Sequence, residues 1–271
     1  MTVRRFNILL ALPLGAIVAA FFLLPMGILF LQSFVTRQDT STYFAILTTP
    51  RYLSSLLATL ALAIVTTLLT LALSTTVGLL LARQRFPGRS VLIALMTFPL
   101  AFPGVVVGFM VILLAGRQGL VGEITRMVTG DKIVFAYSMT GLLVGYLYFS
   151  IPRVLLTVMA AAEKLDPALE DAARSLGASP VHVLADVVLP ALKPAFIASG
   201  AICFATAMGA FGTAFTLATK IDVLPMVIYT EFTLNANVAM AAALSIFLGA
   251  ITWVALTLAR TFGGTGVAAA G

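Results

Sequence analysis

Acid–base, redox or metal chemistry needs carboxylates, thiols or imidazoles brought together, and this sequence is poor in all three. It holds ten acidic residues, one cysteine and one histidine in 271 positions. Cys203 stands inside an apolar run with no second thiol to pair with, so it reads as a small packing residue. His182 alone leaves no Cys/His ligand set, and no metal site is expected. Neither G-x-S-x-G nor H-E-x-x-H occurs, which removes two common frames for a membrane-embedded enzyme. A G-x-x-x-x-G-K-[S/T] loop is also missing, so the chain has no P-loop cradle for ATP. The expectation is a non-catalytic chain that binds no cofactor itself.

The polar residues that remain concentrate in one stretch, Asp166 to Pro180. Asp166 is a good N-cap, and Pro167 suits the first helical position, where its missing N–H costs nothing. Glu170 and Asp171 lie near the positive end of that helix dipole. Gly177 supplies the left-handed residue that ends a helix cheaply. Ser179 and Pro180 repeat the cap-and-proline signal and predict a second short helix through His182, closed by Pro190 and Pro194. Two short helices with a corner at Gly177 suit docking into a cleft; they equally suit an interfacial elbow between two spans.

A few polar or small residues fall inside apolar runs. Arg153, next to Pro152, could face a polar pathway, meet an anionic substrate or pair with a partner chain. It could equally snorkel to the interface or satisfy carbonyls that Pro152 frees. Gly209, Gly212 and Thr213 could line a translocation route or simply allow close helix packing. Gly104 with Gly108, and Gly141 with Gly145, have the G-x-x-x-G spacing of packing faces. Pro99 and Pro103 predict a kinked or broken helix.

The elements that must carry these residues follow from composition. With 61% hydrophobic and 10% charged residues and a mean hydropathy of +1.11, the chain cannot hide its apolar side chains in a soluble fold. Six stretches are long and apolar enough to cross a bilayer. They are expected at 8–31, 53–82, 91–115, 139–162, 195–218 and 238–258. The first, after Arg4 and Arg5, is longer than a signal-peptide core and reads as an uncleaved span. A Gly/Ala-rich tail from Gly263 to Gly271 is expected to be disordered. The fold class is therefore all-α, a polytopic bundle in a single membrane domain over residues 1–271. The net charge of +6 is scattered between apolar runs, which argues against nucleic acid. The basic turn Arg83 to Arg89 is expected on the cytoplasmic side, which places both termini and the 163–194 connection there too. The spans carry essentially no Asp or Glu for ion coupling, which weakens the alternative of a stand-alone secondary transporter or channel.

Asp171-Ala172-Ala173, then Gly177, then Val187, Leu189 and Pro190, resemble the EAA loop of binding-protein-dependent (MetI-like) ABC importer permeases. The steps of six residues from Asp171 to Gly177 and thirteen from Gly177 to Pro190 both fit. The family's glutamate is Asp171 here, with Glu170 just before it, so which carboxylate faces a partner stays open. The resemblance covers Pro152 to Pro194 directly and, through the six-span layout, the whole chain. It implies that Glu170, Asp171, Ala172, Ala173, Arg174, Gly177, Ala178, Leu189 and Pro190 couple the chain to a cytoplasmic ABC ATPase dimer, with ATP and Mg bound on that partner. It further implies a second permease chain, similar or identical, and an extracytoplasmic substrate-binding protein. The setting implied is membrane lipid, in a bacterial inner membrane. Within the family, the run from Ile151-Pro152-Arg153 to Asp166-Pro167 looks closest to spermidine/putrescine, iron and phosphonate permeases, implying a polyamine-like cargo.

Overall fold

A computed structural model describes residues 12–35, 42–217 and 221–263. Every regular element among the described residues is helical. In chain order they are α1 (Leu12–Ser33), α2 (Thr42–Thr48), α3 (Pro50–Arg83), α4 (Arg89–Thr97), α5 (Gly104–Ala115) and α6 (Leu120–Thr129). There follow α7 (Met139–Glu163), α8 (Pro167–Ser175), α9 (Pro180–Met208), α10 (Phe211–Leu217), α11 (Leu224–Leu234) and α12 (Val238–Gly263). Among the described residues, six runs are long and apolar enough to cross a membrane: Leu12–Ser33, Pro50–Arg83, Gly104–Thr129, Met139–Glu163, Pro180–Met208 and Val238–Phe262. Arg4, Arg5, the start of the first expected span at Ile8, Ala218 and the tail beyond Gly263 lie outside the described residues.

Two spans depart from the expectation. The third was expected at 91–115. Instead α4 runs into a single 3-10 turn at Phe98–Ala101, and Phe102 and Pro103 are extended (ψ 131° and 151°) before α5 begins. Proline disfavours helical geometry in the residue before it and cannot donate a backbone hydrogen bond itself, so the helix stops and restarts. The fifth was expected at 195–218, but it begins at Pro180 and ends at Met208, with a break at Gly209–Ala210 before α10. Pro190 and Pro194 do not close a short helix; both lie within α9. Leu184–Val188 form a widened turn in which the Leu189 N–H reaches back five residues to the Leu184 carbonyl. That turn relieves the crowding that Pro190 would cause in a regular ladder. The same device stands in α1, where Ala19–Leu23 widen just before Pro25.

The chain packs as two compact units. Among the described residues, one takes in 12–35, 42–55 and 227–250, the other 56–217, 221–226 and 251–263. In the first, the Glu231 carboxylate is buried, with Arg51 3.7 Å away and the Asn235 amide donating to it at 3.0 Å.

In the second unit, Val154, Val158 and Cys203 form a core between α7 and α9, flanked by Leu71 and Phe196. Cys203 is thus a packing residue. The glycines of α5 and α7 let α10 come close. A Cβ on Gly108 would stand 2.6 Å from the Thr216 Cβ, and one on Gly145 2.7 Å from the Thr213 methyl. Thr213 and Thr216 also donate to the carbonyls of Gly104 and Val105, at 2.9 and 3.3 Å. Replacing Gly108 by leucine should therefore overpack this contact and cost about 1–3 kcal/mol. Thermal unfolding of the detergent-solubilised protein would show it as a lowered midpoint, and an unchanged midpoint would mean α10 yields freely.

Candidate functional site

The corner after α7 forms from local chemistry. Asp166 is extended (ψ 117°), and its carboxylate accepts the Ala168 N–H at 3.0 Å. At the other end of α8, Gly177 has φ +87°. Its N–H donates to the Arg174 carbonyl at 2.9 Å, and the Ala178 N–H donates to the Ala173 carbonyl at 3.1 Å. This pair of bonds is the Schellman closure, which needs a left-handed residue at the position of Gly177. Ser179 then caps α9: its hydroxyl lies 2.8 Å from His182 Nδ1 and accepts the His182 N–H.

Helical periodicity gives α8 two faces. Ala173 and Ala178 pack against a core of Ala162, Val183, Val188 and Leu192. Leu169, Asp171, Ala172 and Leu176 are exposed, Leu176 at 90%. Glu170 and Asp171, adjacent in sequence, have opposite fates. The Asp171 side chain is 71% exposed, whereas Glu170 is 6% exposed and turned inward. Both Glu170 oxygens accept from the two terminal nitrogens of Arg83, at the end of α3. Arg174 lies 3.3 Å from the same carboxylate and also bonds Asp171 at 2.9 Å. Alongside, Arg89 at the start of α4 donates to Glu163 at 2.8 Å and to the Leu81 carbonyl at 2.6 Å. A cleft of about 950 Å³ opens among Arg83, Arg85, Arg89, Glu163, Glu170 and Arg174. Leu189 and Pro190 lie away from the exposed face of α8, in α9 beyond the widened turn.

The Arg83 hydrogen bonds hold the Glu170 carboxyl below the usual glutamate range; burial opposes this, and the charges of Arg83 and Arg174 add to it. A depressed folded pKa contributes stability that is present above the unfolded value of about 4.3 and is lost as pH falls through the folded value. Wild type should therefore unfold at a higher temperature than Glu170→Gln at neutral pH. The gap should persist through pH 5 and close only below about pH 4. A gap that closes between pH 6 and 5 would mean the carboxyl is not held ionised.

A second site lies where the two broken spans meet. A cavity of about 330 Å³ is lined by Phe102, Gly104 and Val105 at the first break and by Gly209, Ala210, Gly212 and Thr213 at the second, with Phe149 and Arg153 from α7. Arg153, Gly209, Gly212 and Thr213, the pathway candidates of the sequence, thus line one cavity. The Arg153 guanidinium donates to the Thr206 hydroxyl at 3.2 Å, and Thr206 in turn donates to the Ile202 carbonyl at 2.7 Å. The Tyr146 hydroxyl donates to the Ala210 carbonyl at 2.7 Å, satisfying a backbone group freed by the break. Gly104 opens α5 with no side chain capping it, so the positive end of a helix dipole borders the cavity. An arginine and a helix N-terminus make this an electropositive space. Sequence reading missed Thr206, Phe149 and Arg83 as parts of these sites. Only Arg83 had left a signal, as one charge in a basic turn.

Residues 74–263 match the family described as binding-protein-dependent transport system inner membrane component. The sulfate transport system permease protein CysT of Salmonella typhimurium is 32% identical over 232 residues, covering 84% of this chain and 82% of that protein. The molybdenum transport system permease protein ModB of Escherichia coli is 32% identical over 185 residues, covering 67% of this chain and 80% of its own length. A bacterial alginate ABC transporter, solved with an alginate-bound periplasmic protein, shares the fold. One of its chains superposes with a TM-score of 0.82 at 18% identity, over 98% of this chain and 96% of that one. The expected nearness to polyamine, iron and phosphonate permeases is overturned by these relatives. The run that suggested it, Ile151 to Pro167, builds the end of α7 and the cap of α8. Family match, relatives and fold agree: the chain belongs to the inner-membrane permease components of binding-protein-dependent transport systems.

Proposed function

We propose that this chain is the permease subunit of an ATP-driven importer for a tetrahedral oxyanion of the sulfate or molybdate kind. Two such chains, identical or similar, form the pathway, a binding protein delivers the anion from outside, and a separate ABC ATPase dimer drives the cycle. The observation that carries the mechanical part is α8. It is a short helix capped at both ends and exposed along Leu169, Asp171, Ala172 and Leu176. A rigid element of this kind moves as one body when an ATPase groove closes on it. The oxyanion assignment draws on the sulfate and molybdenum permeases among the relatives, and on Arg153 and the α5 N-terminus at one cavity. Guanidinium and helix-end N–H groups are the donors that such anions take in place of water.

On this reading α8, the basic turn after α3 and both chain termini are cytoplasmic, in line with the Arg83, Arg85 and Arg89 cluster. Affinity purification of the tagged chain, followed by mass spectrometry, should recover an ABC ATPase and a binding protein. That binding protein should bind sulfate or molybdate in a calorimeter. A chain that purified alone and carried solute unaided in vesicles would instead establish a stand-alone transporter.

A further inference from the structure

We propose that the Arg83–Glu170 ion pair is a strut that delivers the displacement of α8 to the long helix α3; this rests on the reading of α8 as the coupling element. By chain connection alone, α8 can move only α7, through Lys164–Asp166, and α9, through Leu176–Ser179. α3 ends at Arg83 and is followed by the turn into α4, so it has no covalent tie to α8. The ion pair supplies a noncovalent tie between residues 87 apart in sequence. Both terminal guanidinium nitrogens meet both carboxylate oxygens. A two-pronged contact of this kind resists rotation as well as separation. Glu170 is almost fully buried, which limits screening by salt. Arg174, on α8 itself, steadies the same carboxylate and takes part of its charge from within the helix. Arg89 and Glu163 form a parallel tie between the start of α4 and the end of α7, so the helix ends around α8 are cross-braced.

The two carboxylates therefore divide their work. Asp171 points outward, paired with Arg174 of its own helix and exposed to the ATPase, while Glu170 faces inward and acts through Arg83. Glu170 is a positioning residue. Its loss should loosen the transfer of motion without removing the docking face.

The test uses the whole transporter reconstituted in vesicles, with Cys203→Ala and spin labels at Gln84→Cys and Ala168→Cys. In wild type the distance between the two labels of one chain should be narrow, and the same with and without trapped ATP. In Arg83→Gln or Glu170→Gln that distance should broaden and differ between the two states. ATP hydrolysed per sulfate or molybdate imported should rise about tenfold, within the range of ordinary coupling energies. The double variant should be no worse than the worse single one, because each residue acts through the other. Arg83→Lys, which keeps the charge but not the fork, should assemble normally and fall between.

Additive effects in the double variant, or an unchanged distance and stoichiometry in the single ones, would overturn the strut while leaving the coupling role of α8 intact. If Glu170→Gln lost the ATPase as completely as Asp171→Asn, Glu170 would be a docking residue and the strut would fall. A wild-type chain that recovered no ATPase would overturn the coupling reading and the strut together.

Discussion

Replacing Gly177 by valine should sharply reduce coupled uptake while the chain still inserts into the membrane. The reason is conformational. Gly177 sits at φ +87°, and no atom lies within 4 Å of the place a Cβ would take. A side chain has room there, but the left-handed backbone costs an L-residue about 1–2 kcal/mol, and a β-branched one more. Escape from that strain would break the bonds from Gly177 to Arg174 and from Ala178 to Ala173, each contributing about 1 kcal/mol. The corner would then loosen, and α8 would lose its fixed angle to α9. A coupling loss of about tenfold to a hundredfold is expected, read as transport per ATP hydrolysed in proteoliposomes. Gly177→Asn should keep most of the activity, because asparagine tolerates the left-handed region. Equal loss in the valine and asparagine variants would mean that something other than backbone geometry is at stake.

The second large effect is expected at Arg153. If the cavity between the two breaks carries an oxyanion, Arg153→Glu turns an attraction into a repulsion. A unit charge pair 4 Å apart at an effective dielectric of about 20 is worth about 4 kcal/mol, so the change should cost at least a hundredfold in uptake. Arg153→Lys should be milder, keeping charge while losing the planar fork. Basal ATP hydrolysis should stay near wild type in both, because Arg153 lies in the cavity and not on the exposed face of α8. Normal sulfate and molybdate uptake by Arg153→Glu would show that the arginine only anchors itself on Thr206.

These effects were legible in the sequence to different degrees. The cap at Asp166, the closing glycine at Gly177 and the second cap at Ser179 formed as read, because each depends on contacts within a few residues. The membrane class was equally legible, since it follows from bulk apolarity. The polyamine cargo was misread: the run from Ile151 to Pro167 builds a helix end and a cap, and the relatives are sulfate and molybdenum permeases.

How distant pieces combine became visible only once the helices were packed. It turned Glu170 inward onto an arginine from another helix and left Asp171 outside, a choice that adjacent carboxylates cannot reveal in one dimension. It ran α9 straight through Pro190, because one widened turn accommodates the ring. It set the breaks at Pro103 and Gly209 side by side, so that Arg153 and Thr213 face one space. Short-range hydrogen bonds and bulk apolar surface made the caps at Asp166 and Ser179, the corner at Gly177 and the membrane-spanning character readable in one dimension. Which helix ends and polar groups meet was decided by packing between distant segments, such as Gly104 and Thr213, 109 residues apart, where no local rule reaches.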